Sequence, residues 1–125
     1  MIPDNLLFTE EHEWIKTDGD TITIGVTDYA SEELGELVFV DLNDVDTELE
    51  KGDEFGSVES VKTVSGLFAP VDGEVSEVNN AVIDNPALIN DEPYGKGWLI
   101  KMKVTGSLPE DLLTAAQYKA HLEDA

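Results

Sequence analysis

The chain has 125 residues, of which 41% are hydrophobic, so one domain with a core of its own is feasible. There are 28 Asp and Glu residues against 7 Lys and no Arg, which gives a formal net charge of −21. This charge excludes duplex nucleic acid as a ligand and disfavours anionic membrane surfaces, because both are bound through clustered cations.

The acidic residues are spread along the whole chain. We interpret them as a solvated surface adapted to high salt, with a moderately acidic mesophilic protein as the alternative; at low salt the charge favours a monomer. The absence of cysteine excludes disulfides and thiolate chemistry from the chain itself. We expect a cytoplasmic location, because neither a targeting signal nor a membrane-spanning run is visible.

Short apolar runs predict strands along the first two-thirds of the chain. Residues 20–26 alternate between apolar and polar, which predicts a half-buried strand. Residues 37–42 are almost continuously apolar, a pattern typical of a strand buried on both faces. Residues 55–69 predict two extended arms that meet near a lysine, and residues 98–104 alternate once more.

Two segments have helical signals. Residues 28–34 predict a short helix with Asp28 as N-cap and Gly35 as its end. The capping box SLPE at residues 107–110 predicts a C-terminal helix near residues 108–123. With no linker visible, we expect one β-rich domain over residues 1–125, a sandwich or flattened barrel.

The titratable side chains match no catalytic motif. His12 and His121 lie at opposite ends of the chain, without a nucleophile elbow or a zinc-binding helix, so structural roles are the better interpretation. Lys62 is the only cation between Lys51 and Lys96 and would lie at a hairpin tip, with its amine open to modification. From spacing alone, however, an unmodified exposed lysine is the simpler interpretation.

Longer motifs resemble a known family. ESVK at residues 59–62, followed by APVDGEV at 69–75, resembles the lipoyl-lysine segment of the glycine cleavage system H proteins. The similarity runs in order from about Phe8 to Lys103 and includes TEEHEW (9–14), IGVTDYA (24–30), LGELVFV (34–40), NPALIN (85–90) and PYGKGWLIK (93–101).

The resemblance implies a mostly β fold, the barrel-sandwich hybrid of two antiparallel sheets found in lipoyl and biotinyl domains. It implies lipoate attached to Lys62 as N6-lipoyl-lysine. Glu59, Ser60 and Val61 would be recognised as part of the hairpin, and Glu13 would line a cleft that receives the arm. No catalytic residue and no metal site are implied.

The resemblance also implies a non-catalytic shuttle. The arm would take an aminomethyl group from glycine decarboxylase, a pyridoxal-phosphate enzyme, to an aminomethyltransferase that uses tetrahydrofolate. Dihydrolipoamide dehydrogenase would then reoxidise the arm, and a lipoate ligase or lipoyl transferase would have attached it. The reactive group thus belongs to the cofactor, and the protein positions it.

Three positions depart from the family. Asn43 and Asp46 stand where Pro and Gly are usual, and Gly66 replaces a common acidic residue four positions after the lysine. Alternative functions are a lipoyl relay or a lipoyl domain serving 2-oxoacid dehydrogenase complexes, which would share Lys62. An enzyme would need turnover without partners, and a non-carrier interaction module would tolerate replacement of Lys62.

Overall fold

The computed structural model describes residue 3 and residues 5–106 and 108–123. Its strands, in chain order, are β1 (Leu7–Phe8), β2 (Glu13–Asp18), β3 (Thr21–Val26), β4 (Leu37–Leu42), β5 (Glu48–Leu49), β6 (Glu54–Ser60), β7 (Val64–Phe68), β8 (Gly73–Val78) and β9 (Ile100–Val104). Its helices are α1 (Asp28–Leu34), α2 (Asn80–Asp84), α3 (Ala87–Asp91) and α4 (Ala115–Glu123).

The strands form two antiparallel sheets. The larger has the spatial order β1-β2-β3-β9-β8-β5, and the smaller has the order β4-β6-β7. The mostly β architecture of two antiparallel sheets is therefore confirmed. Consecutive strands β6 and β7 pair as a hairpin, with Glu59 opposite Val64, and this hairpin ends at Lys62.

Two apolar clusters hold the elements together. The main core lies between the sheets, because every second side chain of a strand points inward. It is built around Ile15, Ile24, Val40, Phe55, Val58, Val75, Ile100 and Met102. The second cluster joins β1 and β2 to α4, where the Phe8 and Tyr118 rings stack with centroids 4.7 Å apart.

Strand β4 has the predicted position but a different burial. Leu37, Val40 and Leu42 are buried, whereas Val38 and Phe39 are exposed, Phe39 to 56%. The prediction of a strand buried on both faces was therefore wrong. A bulge between Leu37 and Phe39 shifts the register against β6. No helix covers the outer face of this sheet, within the described part of the chain, in the way that helices cover the sheets of α/β proteins.

Helix α1 has the predicted bounds and ends at Gly35, but its N-cap is Thr27, whose Oγ1 accepts a hydrogen bond from Ala30 N, and not Asp28. The C-terminal helix begins at Ala115, later than predicted. The Ser107 of the predicted capping box lies outside the described residues.

Thr114 and Gln117 form a second capping box that was not predicted: Gln117 N donates to Thr114 Oγ1 and Thr114 N to Gln117 Oε1. The residues before it do not continue the helix: Glu110 and Asp111 lie in a turn, and Leu113 exchanges two backbone hydrogen bonds with Phe8. No helix in the described part of the chain is long and apolar enough to cross a membrane.

Candidate functional site

The tip of the β6–β7 hairpin is fixed by the Ser60 side chain. Its Oγ accepts hydrogen bonds from Lys62 N at 3.1 Å and Thr63 N at 3.0 Å, and Ser60 N donates to Thr63 O. Val61 N donates to Glu36 O at 3.1 Å, which ties the tip to the segment that follows α1. The local backbone is therefore held in place, while the lysine side chain remains exposed.

Lys62 is exposed, and in the described part of the chain no carboxylate forms an ion pair with its Nζ. Its stem lies over Gly35, the residue that ends α1: a Cβ on Gly35 would lie 2.7 Å from Lys62 Cε. Gly35 also has a φ of 85°, which favours glycine. The end of α1 thus provides both a turn and a seat for the lysine stem.

Asn90, on α3, holds that turn in place. Its Nδ2 donates to Gly35 O at 2.8 Å and to Ser31 Oγ at 3.0 Å, and its Oδ1 accepts from Leu37 N at 2.9 Å. The Asn90 side-chain amide therefore connects the end of α1 to the start of β4. The residue between them, Glu36, accepts the hydrogen bond from Val61 N.

We expect Asn90→Ala to lower the free energy of unfolding by about 2 kcal/mol, because a backbone donor and a backbone acceptor lose their partner. Urea denaturation measures this loss. Asn43→Ala is the control, since the Asn43 amide is only partly buried and makes one long hydrogen bond of 3.4 Å to Glu54 O. Equal losses in the two variants would contradict a clamping role for Asn90.

A cleft of about 270 Å³ opens between the free edge of β7 and α1. Leu34 on its wall directly precedes Gly35, over which the lysine stem lies. The walls of the cleft are largely apolar and include Tyr29, Ala30 and Leu34 from α1 and Leu67 and Phe68 from β7. The cleft could therefore hold a narrow, mainly apolar group.

Glu13 lies on the wall of this cleft and is only 4% exposed. Its Oε2 accepts a hydrogen bond from Phe68 N at 3.2 Å, on the free edge of β7. Burial raises the pKa of Glu13 to about 8, against the opposing effect of the Phe68 hydrogen bond. At neutral pH the cleft therefore contains a carboxylic acid that holds its proton.

The structure brings the predicted site residues together in two groups. Ser60, Val61 and Lys62 form the hairpin tip, and Glu59 is exposed on β6 just before it. Glu13 comes from β2, in the other sheet, and its carboxyl contacts the free edge of β7 at Phe68 N.

The structure shows what surrounds the three residues that depart from the family pattern. Gly66 lines the cleft, and a Cβ there would lie 2.9 Å from Glu54 Oε2 and 3.0 Å from Phe68 Cζ. Asp46 has a φ of 74°, in the left-handed region that glycine adopts without strain. At the position where the family usually has proline, the Asn43 side-chain amide donates a hydrogen bond to Glu54 O.

The two histidines, distant in sequence, lie side by side with ring centroids 5.8 Å apart. His12 Nδ1 is 2.8 Å from the Tyr118 hydroxyl, which is also 2.8 Å from Thr27 Oγ1, the N-cap of α1. Burial and the neighbouring His121 lower the pKa of His12. The sequence could not show this chain of contacts, which joins α4 to α1 at the cleft.

The two-sheet fold with a lysine at a hairpin tip is that of lipoyl-carrier domains. The glycine cleavage H-protein family model matches residues 6–125. The chain is 55% identical over 119 residues to the glycine cleavage system H protein of Bacteroides thetaiotaomicron, covering 94% of both. It is 49% identical over 123 residues to that of Herpetosiphon aurantiacus, covering 98% of this chain and 95% of the relative.

A crystal structure of a glycine cleavage system H protein from Mycobacterium marinum superimposes with a TM-score of 0.91 at 43% identity, over 98% of this chain and 99% of that chain. The chain therefore belongs to the glycine cleavage H-protein family. It is a non-catalytic carrier component of the glycine cleavage system, with the role of a lipoyl carrier.

Proposed function

We propose that Lys62 is the attachment site of this carrier and holds lipoate in amide linkage to its Nζ. The observation that carries the proposal is an exposed amine at the tip of a fixed hairpin, with its stem over Gly35, the residue next to Leu34 on the wall of an apolar cleft. The residues present fit the group, because its chain is apolar and the cleft walls are largely apolar as well. Glu59, Ser60 and Val61 form the part of the hairpin that the attaching enzyme, a lipoate ligase or lipoyl transferase, meets first.

The bound group supplies the sulfur chemistry that a chain without cysteine lacks. In the proposed cycle the carrier receives an aminomethyl group at glycine decarboxylase, delivers it to the aminomethyltransferase and is reoxidised at dihydrolipoamide dehydrogenase. The chain's own residues position the arm. Ser60 fixes the tip, and Gly35 leaves room for the stem of the lysine.

The cleft gives the loaded arm a place away from water, where side reactions of the cargo are suppressed. Glu13 lines this cleft, and we assign it the role of holding the amine of the cargo. A cationic amine in the cleft would favour the ionised form of Glu13, because an opposite charge within a few ångströms lowers the pKa of a carboxyl. The acid would then give up its proton when the cargo arrives.

We expect Glu13→Gln to shorten the lifetime of the loaded arm by about tenfold, because a hydrogen bond between charged groups is replaced by a weaker one. The measurement follows the loss of the aminomethyl group from purified loaded carrier by mass spectrometry. Glu10→Gln removes an exposed carboxylate three residues earlier and should leave the lifetime unchanged. An unaltered lifetime in Glu13→Gln would rule out this role for Glu13.

The attachment site is tested by intact mass and peptide mapping of the protein made in cells that are supplied with lipoate. One lipoyl group, located on Lys62, is the expected result. Protein that stays unmodified beside an active ligase, or a lipoyl group on another lysine, would overturn the proposal.

A further inference from the structure

The outer face of the smaller sheet carries an exposed row next to the lysine, in which two apolar side chains flank a glutamate. Phe39 on β4 pairs with Glu59 on β6, and Glu59 pairs with Val64 on β7, so the three side chains share one face and cross the sheet in one line. Phe39 is 56% exposed and Val64 is 63% exposed. Large apolar side chains grouped in this way mark a contact surface more often than scattered ones do.

This row continues to the hairpin tip. Val61, beside Lys62, is 66% exposed, and Val64 lies only two residues after the lysine. Of the large apolar side chains that are exposed in the described part of the chain, Val38, Phe39, Val61 and Val64 lie on β4 and at this tip. The row therefore adjoins the amine itself.

The row and its surroundings are acidic. Glu59 lies in the middle of the row, Asp41 shares the outer face of β4 with Phe39, and Glu36 binds the tip through its carbonyl. All three are exposed, in a chain with a net charge of −21. The matching surface on a partner is an apolar patch edged by lysine or arginine, since complementary charges steer and orient the encounter.

We infer that the row formed by Phe39, Glu59 and Val64 is the docking surface for the enzyme that acylates Lys62. This inference rests on the proposed attachment site. In the acylation, Nζ attacks the carbonyl carbon of a lipoyl adenylate made from lipoate and ATP. The C–N bond forms, the C–O bond to AMP breaks with AMP leaving, and the amine loses a proton.

The position of the row selects this partner over the others. The acylating enzyme must bring its reacting atom to Nζ, so its surface has to cover the hairpin tip and the strands beside it. The enzymes that use the finished arm react with its far end, at a distance from the tip. The cleft, in turn, is formed by the free edge of β7 and α1, and none of the three residues of the row lines it.

The test measures acylation of the purified full chain by a lipoate ligase with lipoate and ATP, followed by intact mass at several carrier concentrations. We expect Phe39→Thr to lower kcat/KM at least about tenfold, mainly through KM, because exposed aromatic anchors carry much of the binding energy of an interface. Val64→Thr keeps the branched shape and should lower kcat/KM a few fold.

Val45→Thr is the matched control, since Val45 is 49% exposed in the turn before β5 and should change nothing. Thermal unfolding shows whether each variant folds. If Phe39→Thr does not fold, the acylation rate of Val64→Thr decides the test. Acylation of Phe39→Thr and Val64→Thr at the wild-type rate would overturn the inference. The inference would also fail if these variants were acylated normally but were impaired in exchange with the decarboxylase, because the row would then serve a different partner. Wild-type protein that is not acylated on Lys62 would instead overturn the proposed attachment site.

Discussion

Lys62→Arg is expected to reduce glycine–carbon dioxide exchange with glycine decarboxylase to the rate of the decarboxylase alone. The guanidinium of arginine stays protonated and cannot form the amide, so no arm is attached. The positive charge at the hairpin tip is kept, and the Ser60 contacts are made to backbone nitrogens that the change leaves in place. The loss therefore reports the missing arm and not a disturbed fold.

Lys96→Arg is the matched control for this experiment, because Lys96 is also exposed and lies in another turn of the chain. It should acquire one lipoyl group and support exchange at the wild-type rate. Exchange that persists in Lys62→Arg, or a lipoyl mass that appears on it, would show that the arm is attached elsewhere.

Glu13→Gln is expected to stabilise the unmodified protein by about 3 kcal/mol at pH 7. The pKa of Glu13 is raised from 4.5, the ordinary value of a solvated glutamate, to about 8 in the folded protein. Between these values the folded chain keeps a proton that the unfolded chain releases, so stability falls as pH rises through this window. At pH 7, which is about 2.5 units above the pKa in the unfolded chain, each unit contributes about 1.36 kcal/mol, so the wild-type protein loses about 3 kcal/mol of stability.

Glutamine has the shape of the protonated acid and has no proton to lose. The difference in unfolding free energy between the variant and the wild type should therefore be small near pH 5, grow up to pH 8 and level off above it. Urea denaturation at constant salt measures the difference, and Glu10→Gln controls for the loss of one charge from a strongly acidic chain. A difference that does not depend on pH would contradict a buried, protonated Glu13.

Glu13→Gln should thus have opposite effects on two properties, with higher stability of the empty carrier and a shorter lifetime of its cargo. Such a trade-off is common where a functional group is buried at a cost to the fold. It also separates the two roles experimentally, because a purely structural acid would change the first property and leave the second unaltered.

Local patterns in the sequence predicted β3, β4, β6, β7, β9 and α1, because alternation and turn residues act over a few positions; they did not predict β1, β2, β5, β8, α2 or α3. The burial of β4 depended on what covers the sheet, and an apolar run such as residues 37–42 does not contain that information. The start of α4 was missed because two capping boxes compete, at residues 107–110 and 114–117. The pairing of Leu113 with Phe8, more than 100 residues away, favours the second.

The sequence points most clearly to the candidate site where its residues are consecutive. The segment around Lys62 is one hairpin. Spacing alone favoured an unmodified lysine there, and the resemblance of ESVK and its flanks to a known family singled it out as a candidate. Asn90 and Gly35 were missed as parts of the site, because their contacts cross from α3 to the end of α1 and onward to the hairpin tip. The meeting of His12 and His121 likewise depends on the docking of α4.

The contact of Tyr118 with both His12 and Thr27 has a consequence for work with this carrier. Tyr118 is fully buried, and its hydroxyl connects the C-terminal helix to the helix that forms one wall of the cleft. An antibody, a fused enzyme or a truncation that detaches the C-terminal helix would therefore loosen one wall of the cleft that we propose to receive the arm. Cargo lifetime would then change although every residue of the hairpin is intact, so fusions that join this carrier to other proteins are best judged by that lifetime as well as by their yield.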